Sequence, residues 1–221
     1  VASAGNLTSA VYRIFGKPFS EEGKKLFGVP FAQFLKLNSE FRYHYRIDKN
    51  QMIASRIAGG VIWSYGNATT APYTEQFYIG GANSVRAFSA RSIGPGGYPP
   101  ETDRKYTYIN HVGDIRIEAN IEYRFRMIAD LHGAVFLDAG NVWLMRKDEN
   151  RPNGEFTLKN FPKQIALGTG FGLRYDLDFL VFRLDLGIGL HDPYDTGKSG
   201  YYNIPKFKDS MALHFAIGYP F

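Results

Sequence analysis

Side chains that could take part in covalent catalysis are present, but they form no recognisable catalytic group in the sequence. His191 and Asp192 lie near Tyr194 and Asp195, whereas a hydrolase would need a serine, a histidine and an acid that converge. The Gly-x-Gly-x-Gly run at 168–172 is similar to a nucleotide loop, but no helical pattern follows it. It is better explained as small side chains beside a packed loop. We therefore predict no enzymatic activity, no metal site and no cofactor.

A different kind of chemistry is indicated by acidic side chains that recur on one face of two neighbouring segments. Glu118, Glu122 and Asp138 all have even numbers, and residues two apart in a strand point to the same side. A tight turn centred near Ile128 would set Glu118 opposite Asp138. Several carboxylates facing one space suit the planar, forked guanidinium group of arginine, and such bonds are strong where water is scarce.

The elements that carry these acids are long segments in which apolar and polar residues alternate. In 31–47 leucine, phenylalanine and tyrosine recur at odd positions, while charged residues recur at even positions, and 114–126 repeats the pattern. A period of two predicts strands with one apolar face and one polar face. The eight predicted strands are 2–13, 31–47, 51–65, 114–126, 129–143, 164–176, 180–190 and 211–221.

The connections between the predicted strands alternate between short and long. Tight turns are expected at 48–50, 127–128 and 177–179, and long loops at 16–30, 66–107, 144–162 and 191–209. This alternation is typical of an outer-membrane barrel, with short periplasmic turns and long outer loops. Strands of twelve or more residues also exceed the five or six usual in soluble sheets. We predict an all-β, transmembrane antiparallel β-barrel. The alternative is a soluble sandwich or lipocalin-like barrel with its apolar face inside.

The composition agrees with a membrane barrel. The 221 residues include 18 Phe, 15 Tyr and 24 Gly but no Cys, and no segment approaches the roughly 20 apolar residues of a membrane-spanning helix. The net charge of +5 is modest and the basic residues are dispersed, so nucleic acid is not a predicted partner. The chain begins at Val1 without a signal peptide, and we expect a mature protein or a fragment.

The longest predicted loop, 66–107, carries a motif that resembles a known family. Its residues are Gly80, Gly81, Val85, Arg86, Ala87 and Phe88, followed by Gly94, Pro95 and Gly96. They resemble the sixth extracellular loop of the BamA/TamA superfamily, the bacterial surface antigen family, whose motif is Val-Arg-Gly-Phe or Val-Arg-Gly-Tyr. Here Ala87 replaces the motif glycine, which restricts the backbone at the loop tip.

Two further segments are similar to the same family. The run 136–143 matches its Phe-x-Asp-x-Gly-x-x-Trp pattern, and 122–125 matches its Glu-Tyr-Arg-Phe segment. The resemblance implies that the loop folds back into the barrel, where Arg86 meets Asp138 and Glu122, with Glu118 facing the same space. Three predicted strands precede the loop and five follow it. The whole chain, 1–221, is therefore expected to be the C-terminal half of a sixteen-stranded barrel.

The chain ends with an aromatic pattern that is the usual mark of the last strand of an outer-membrane protein. Tyr219 and Phe221 are spaced by two and should share the lipid face, while His214 occupies a polar position of this signal. Gly218 and Pro220 are expected to weaken the hydrogen bonding of the strand near its end. We predict that 211–221 is both a targeting signal and one side of a gate.

The resemblance implies a barrel that inserts other proteins into the bacterial outer membrane through a lateral gate. Its expected partners are the lipid bilayer, unfolded outer-membrane protein clients, periplasmic domains that precede Val1, and accessory lipoproteins. One alternative is a secretion pore or a TamA-type translocation barrel of the same superfamily, and another is a passive porin or structural barrel. The sequence leaves open whether the eight strands close alone, pair with a second copy or form half of a larger barrel.

Overall fold

A computed structural model of the protein describes residues 2–4, 25–26, 29–66, 68–99, 110–177 and 179–221, and it describes side chains from residue 31 onward. Ten strands lie in these ranges: β1 (Ala2–Ala4), β2 (Lys25–Leu26), β3 (Val29–Pro30), β4 (Phe34–Arg46), β5 (Gln51–Ser64), β6 (Ile115–Ile128), β7 (Leu131–Trp143), β8 (Ala166–Asp176), β9 (Val181–His191) and β10 (Met211–Ile217). Short 3-10 helices span Phe161–Gln164 and Phe207–Ser210. Within the described ranges, no helix has the length and apolar character needed to cross a membrane.

One antiparallel sheet contains eight of these strands, in the order β1-β4-β5-β6-β7-β8-β9-β10, while β2 and β3 pair only with each other. The predicted all-β antiparallel fold is confirmed. Of the first predicted strand, 2–13, only β1 lies within the described residues. Among those residues, β1 and β10 form the two edges of the sheet and do not pair with each other, so the sheet is open.

The two faces of the sheet have inverted polarity relative to a soluble protein. On the apolar face, Phe41 is 66%, Ile57 is 63% and Leu213 is 68% exposed. On the polar face, Glu122 and Asp138 are fully buried. A soluble sandwich would bury the first set and expose the second. The soluble alternative is therefore wrong, and the apolar face is suited to lipid.

The turn between β6 and β7 differs from the predicted one. Ile128 pairs with Leu131, so the turn is formed by Ala129 and Asp130. Asp138 consequently lies opposite Asn120, and Glu118 lies opposite Gly140. The prediction that Glu118 faces Asp138 is wrong, because moving the turn by one residue shifts the pairing by two. That shift keeps every side chain on the same face, so the alternation alone could not detect it.

The loop between β5 and β6 packs against the polar face and encloses the main hydrophobic core. Ile79, Val85 and Ile93 of this loop cluster with Ile62 and Val142 of the sheet. Glycines of the sheet make the close approach possible. A Cβ atom at Gly187 would collide with the carbonyl oxygen of Arg86, and one at Gly168 would collide with the Cβ atom of Ala87. The prediction that the 168–172 glycines lie beside a packed loop is confirmed for Gly168, whereas a Cβ atom at Gly170 or Gly172 would meet residues of the sheet instead. Part of the predicted loop, at 67 and 100–107, lies outside the described residues.

Candidate functional site

A glycine pair shapes the base of the loop that carries Arg86. Gly80 and Gly81 have φ angles of +101° and +92°, a region that L side chains rarely adopt. A Cβ atom at Gly80 would also collide with the carbonyl oxygen of Ser89. The amide of Gly81 donates to the carbonyl oxygen of Phe88 at 2.8 Å, which closes the base of the loop. Val85, fully buried, and Arg86 lie between these two ends.

Arg86 is fully buried and held by two acids of the sheet. Its Nε donates to Oδ2 of Asp138 at 2.8 Å, and its Nη2 donates to Oδ1 at 2.9 Å. Its backbone amide donates to the same Oδ2 at 3.0 Å, and Nη1 donates to Glu122. The guanidinium carbon also lies 3.5 Å from the ring centroid of Phe136. The structure thus brings together Arg86, Asp138 and Glu122, and the two-bond contact with Asp138 fixes the orientation of the guanidinium group.

The ionic group extends beyond the residues that the sequence suggested. Arg174 donates from Nη2 to Glu122 at 3.0 Å and from Nη1 to Asp185 at 2.5 Å. Arg124 donates from Nε to Glu122 at 2.6 Å. Arg174 lies on β8 and Asp185 on β9, and neither residue belongs to the sequence motifs described above. Their only sequence signal was that they share the polar face with glycines, which leave room for long side chains.

Glu118 lies outside the contacts of Arg86. It accepts a hydrogen bond from Arg56 of β5, and its Oε2 lies 4.0 Å from Nη1 of Arg116. Glu118 precedes Glu122 by four residues, which places it roughly 13 Å further along the strand. All three acids share one face of the sheet, and Glu118 interacts with the loop through a hydrogen bond with Ser84 rather than through Arg86.

The second half of the loop motif is seated against β7. The side-chain amide of Asn141 donates to the carbonyl oxygen of Gly96 at 2.9 Å, and His111 contacts the carbonyl oxygen of Gly94. Gly94 and Gly96 have positive φ angles on either side of Pro95. The run 136–143 thus contacts Arg86 through Asp138 and the ring of Phe136, and it contacts the Gly94–Gly96 turn through Asn141 and the carbonyl oxygen of Val142.

The last strand touches the loop tip through His214. Its Nε2 lies 2.9 Å from the carbonyl oxygen of Arg86. Because a carbonyl oxygen can only accept, the imidazole donates from Nε2 in this contact. The side chain of Arg86 therefore contacts β6 and β7, and its carbonyl oxygen contacts β10.

The terminal residues turn away from the sheet rather than continuing the last strand. The strand ends at Ile217, and Gly218 has a φ of +83°. Phe221 is only 6% exposed, and the guanidinium carbons of three arginines surround its ring, at 5.3 Å for Arg56, 5.7 Å for Arg124 and 5.9 Å for Arg86. The prediction that Tyr219 and Phe221 share the lipid face is wrong, because the left-handed residue Gly218 redirects the chain. Tyr219 stays 40% exposed.

His191, the last residue of β9, connects two of the long loops. Nδ1 of His191 lies 2.6 Å from the carbonyl oxygen of Tyr201, and Nε2 lies 2.9 Å from that of Lys163. Burial raises the pKa of the Asp192 carboxyl above its usual range. Burial likewise raises the pKa of Tyr194 to about 12. The two contacts of His191 join the loop around Lys163 to the loop around Tyr201.

Most of the chain matches a known protein family. Residues 25–221 match the family model described as the Omp85 superfamily domain. The chain is 28% identical over 204 residues to the outer membrane protein assembly factor BamA of Nitratidesulfovibrio vulgaris, which covers 90% of this chain and 22% of that protein. It is 29% identical over 89 residues to the assembly factor BamA of Neisseria meningitidis serogroup B, which covers 38% and 11%. The chain thus spans about a fifth or less of the length of these relatives.

Solved structures give a similar result at the level of the fold. The crystal structure of BamA from Haemophilus ducreyi lacking POTRA domains 1–3 aligns with a TM-score of 0.57 at 16% identity, covering 84% of this chain and 35% of that one. CdiB from Acinetobacter baumannii aligns with a TM-score of 0.47 at 17% identity, covering 84% and 27%. The first alignment shows a shared strand architecture.

Proposed function

Because the chain belongs to the Omp85 superfamily and is an outer-membrane β-barrel protein, we propose that it inserts other proteins into that membrane without covalent chemistry. The predicted family and location are confirmed by the match over 25–221 and by the BamA relatives. The observation that carries the functional proposal is the fully buried contact of Arg86 with Asp138 and Glu122. It supports a loop that is anchored against the inner wall rather than one that extends into solvent.

The proposed mechanism uses the free edge of β10. A closed barrel has no unpaired strand edge, whereas an insertase must present one to an unfolded client. β10 has seven residues, while β9 has eleven, and among the described residues only β9 pairs with it. An incoming strand would pair with its open edge through backbone hydrogen bonds.

The anchored loop would keep the rest of the wall rigid while this edge is exposed. The ionic group around Arg86 joins β6, β7, β8 and β9 through Glu122, Asp138, Arg174 and Asp185. Among the described residues, β10 contacts this group through one side-chain hydrogen bond, from His214 to the carbonyl oxygen of Arg86. A movable strand beside a rigid wall is the arrangement that a lateral gate needs. The loop also covers the polar face, which disfavours a passive porin.

The proposed partners are unfolded outer-membrane protein clients, the lipid bilayer, periplasmic domains outside this segment and accessory lipoproteins. Insertion would be measured with the full-length protein in liposomes, by the appearance of folded client from a urea-denatured small barrel. We expect Arg86→Ala to lower the rate strongly. Arg91→Ala is the matched control, since Arg91 lies in the same loop and its side chain contacts the exposed Tyr73 and Tyr78.

Two outcomes would contradict the proposal. One is a wild-type protein that inserts clients no faster than empty liposomes. The other is an equal loss of rate in Arg86→Ala and Arg91→Ala, which would show that the buried anchor has no special role.

A further inference from the structure

A small cavity lies on the polar face at the end of the sheet where the tight turns are. Its volume is about 140 Å³. The lining includes the β4–β5 turn, one residue each of β7 and β8, and Tyr219 of the redirected terminal segment. We refer to it as the turn-end cavity. None of the contacts that hold Arg86 lies in it.

The turn-end cavity is lined by more basic groups than acidic ones. Arg46, Lys49, Arg124 and Arg174 all line it, together with His132. Arg124 and Arg174 already pair with Glu122, and Arg124 also donates to the carbonyl oxygen of Phe221 at 3.2 Å, so the excess positive charge comes from Arg46 and Lys49. Asp48 is the acidic lining residue. Both of its carboxylate oxygens are engaged within the turn, where Oδ1 accepts from the amide of Asn50 at 2.6 Å and Oδ2 accepts from Gln51 at 2.9 Å. Asp176 acts electrostatically on Tyr219 from nearby.

Two buried nitrogen atoms of the cavity lining have no hydrogen-bond partner among the described residues. Arg174 is fully buried, and its Nε has no hydrogen-bond partner, although its two Nη atoms are bonded. Nδ1 of His132, which pairs with Arg174 across β7 and β8, is also buried without a partner. Exposed Arg46 and Lys49 form no ion pair within the same described ranges. A buried donor without an acceptor is unfavourable, so it is usually satisfied by a ligand or by solvent.

We propose that the turn-end cavity is a binding site for a small oxyanion, either a carboxylate or a phosphate group. The oxyanion would accept hydrogen bonds from His132 and Arg174 at the inner end of the cavity. Arg46 and Lys49 would supply positive charge at its rim, where electrostatic attraction is screened by salt. The tight turns of an outer-membrane barrel face the periplasm. The anion would therefore arrive from that side, as free phosphate or as the terminal carboxylate of a polypeptide.

Binding can be measured by calorimetry on the folded protein in detergent, at low ionic strength and without any client. The probes are inorganic phosphate and a hexapeptide that ends in phenylalanine, with either a free carboxylate or an amide. The test variant is Arg46→Gln/Lys49→Gln, because both residues are exposed and form no ion pair with any residue that the structure describes. The control Lys147→Gln/Lys208→Gln removes the same charge from exposed residues of the long loops.

We expect saturable binding of at least one probe by the wild type, weakened about tenfold or more in the test variant, since bonds to charged groups contribute more than neutral ones. The control should bind like the wild type. His132→Asn should also weaken binding. Preference for the free-acid peptide over the amide would identify a polypeptide terminus as the source, and binding of phosphate alone would identify the free ion.

Absence of saturable binding to the wild type would overturn the proposal, as would equal affinities for the test and control variants. Because no client is present, this failure is distinguishable from a failure of the insertase proposal. A protein could insert clients normally and still show no anion binding.

Discussion

Removal of the Arg86 side chain should destabilise the folded protein mainly through one of its two acids. Among the described residues, Asp138 forms an ion pair with Arg86 alone, and without that side chain it would keep Asn120 and the amide of residue 86 as donors. Glu122 would keep both Arg124 and Arg174. Breaking a buried ion pair from one side typically costs about 3–5 kcal/mol. We expect Arg86→Ala to lower the free energy of unfolding by roughly 4 kcal/mol.

The unequal roles of the two acids can be separated by double-mutant cycles. Asp138→Asn removes the charge that Arg86→Ala leaves uncompensated, so the double variant should be more stable than the sum of the two single changes predicts. The coupling between Arg86 and Asp138 should be about 2–3 kcal/mol, near the upper end for residues in contact. The coupling between Arg86 and Glu122 should be smaller, about 1 kcal/mol or less, because Glu122 retains two arginines.

The assay is reversible urea unfolding in phospholipid vesicles, followed by tryptophan fluorescence. The chain has two tryptophans, and they report on different regions. Trp143 is fully buried beside the loop, and Trp63 is 59% exposed on the apolar face. A larger coupling for Glu122 than for Asp138, or no coupling for either, would refute the assignment of Asp138 as the principal partner.

Three further predictions test other parts of the structure. Ile121→Arg on the apolar face should cost roughly 2–4 kcal/mol near the bilayer midplane, whereas Asn38→Arg on the exposed polar side of β4 should cost much less; similar unfolding energies would contradict the lipid-facing assignment. Phe221→Ala should increase protease cleavage of the loop around Arg86, which an unchanged digest would disprove. The pKa of Tyr194 is raised to about 12, so its contribution to the stability of the folded loop is complete below pH 10 and is lost as the pH rises through about 12. Tyr194→Phe should therefore remove the corresponding step from the pH dependence of protease cleavage in residues 192–210.

The faces of the strands could be predicted from the sequence because lipid imposes a strict alternation. A residue such as Phe41 cannot exchange sides without placing Arg42 in hydrocarbon, so parity alone assigns both. The same reasoning placed Glu122 and Asp138 on one face before their contact with Arg86 was known. The pairing register of the strands was harder to predict from the sequence, because a shift by two residues leaves every side chain on the same face. The pairing of Asp138 with Asn120 rather than Glu118 depends on the turn at Ala129, which has the unusual φ of +47° for an alanine.

The redirected terminus could not be predicted by alternation either. The spacing of Tyr219 and Phe221 gives both residues the same side only if the chain stays extended through Gly218. Because Gly218 has a left-handed backbone conformation, the chain changes direction there and the alternation of faces no longer applies to Tyr219 and Phe221. The partners of Phe221 are arginines from β5, β6 and the loop, which are distant in sequence, so no local pattern records them. Arg174 and Asp185 were missed for a similar reason, since their contact spans two strands and no motif contains them.

The last prediction concerns the attachment of β10 to the loop tip. If β10 moves to admit a client, the hydrogen bond from His214 to the carbonyl oxygen of Arg86 must break, while the ion pairs of Arg86 with β6 and β7 can persist. His214→Ala should therefore speed hydrogen exchange of the β10 amides without changing that of β6 and β7. His214→Gln keeps a donor and should restore part of the protection. Exchange would be followed by mass spectrometry on the protein in lipid nanodiscs. Equal acceleration in β6 and β10 would show that the wall and the last strand open together, because a separately movable edge requires the two to exchange independently.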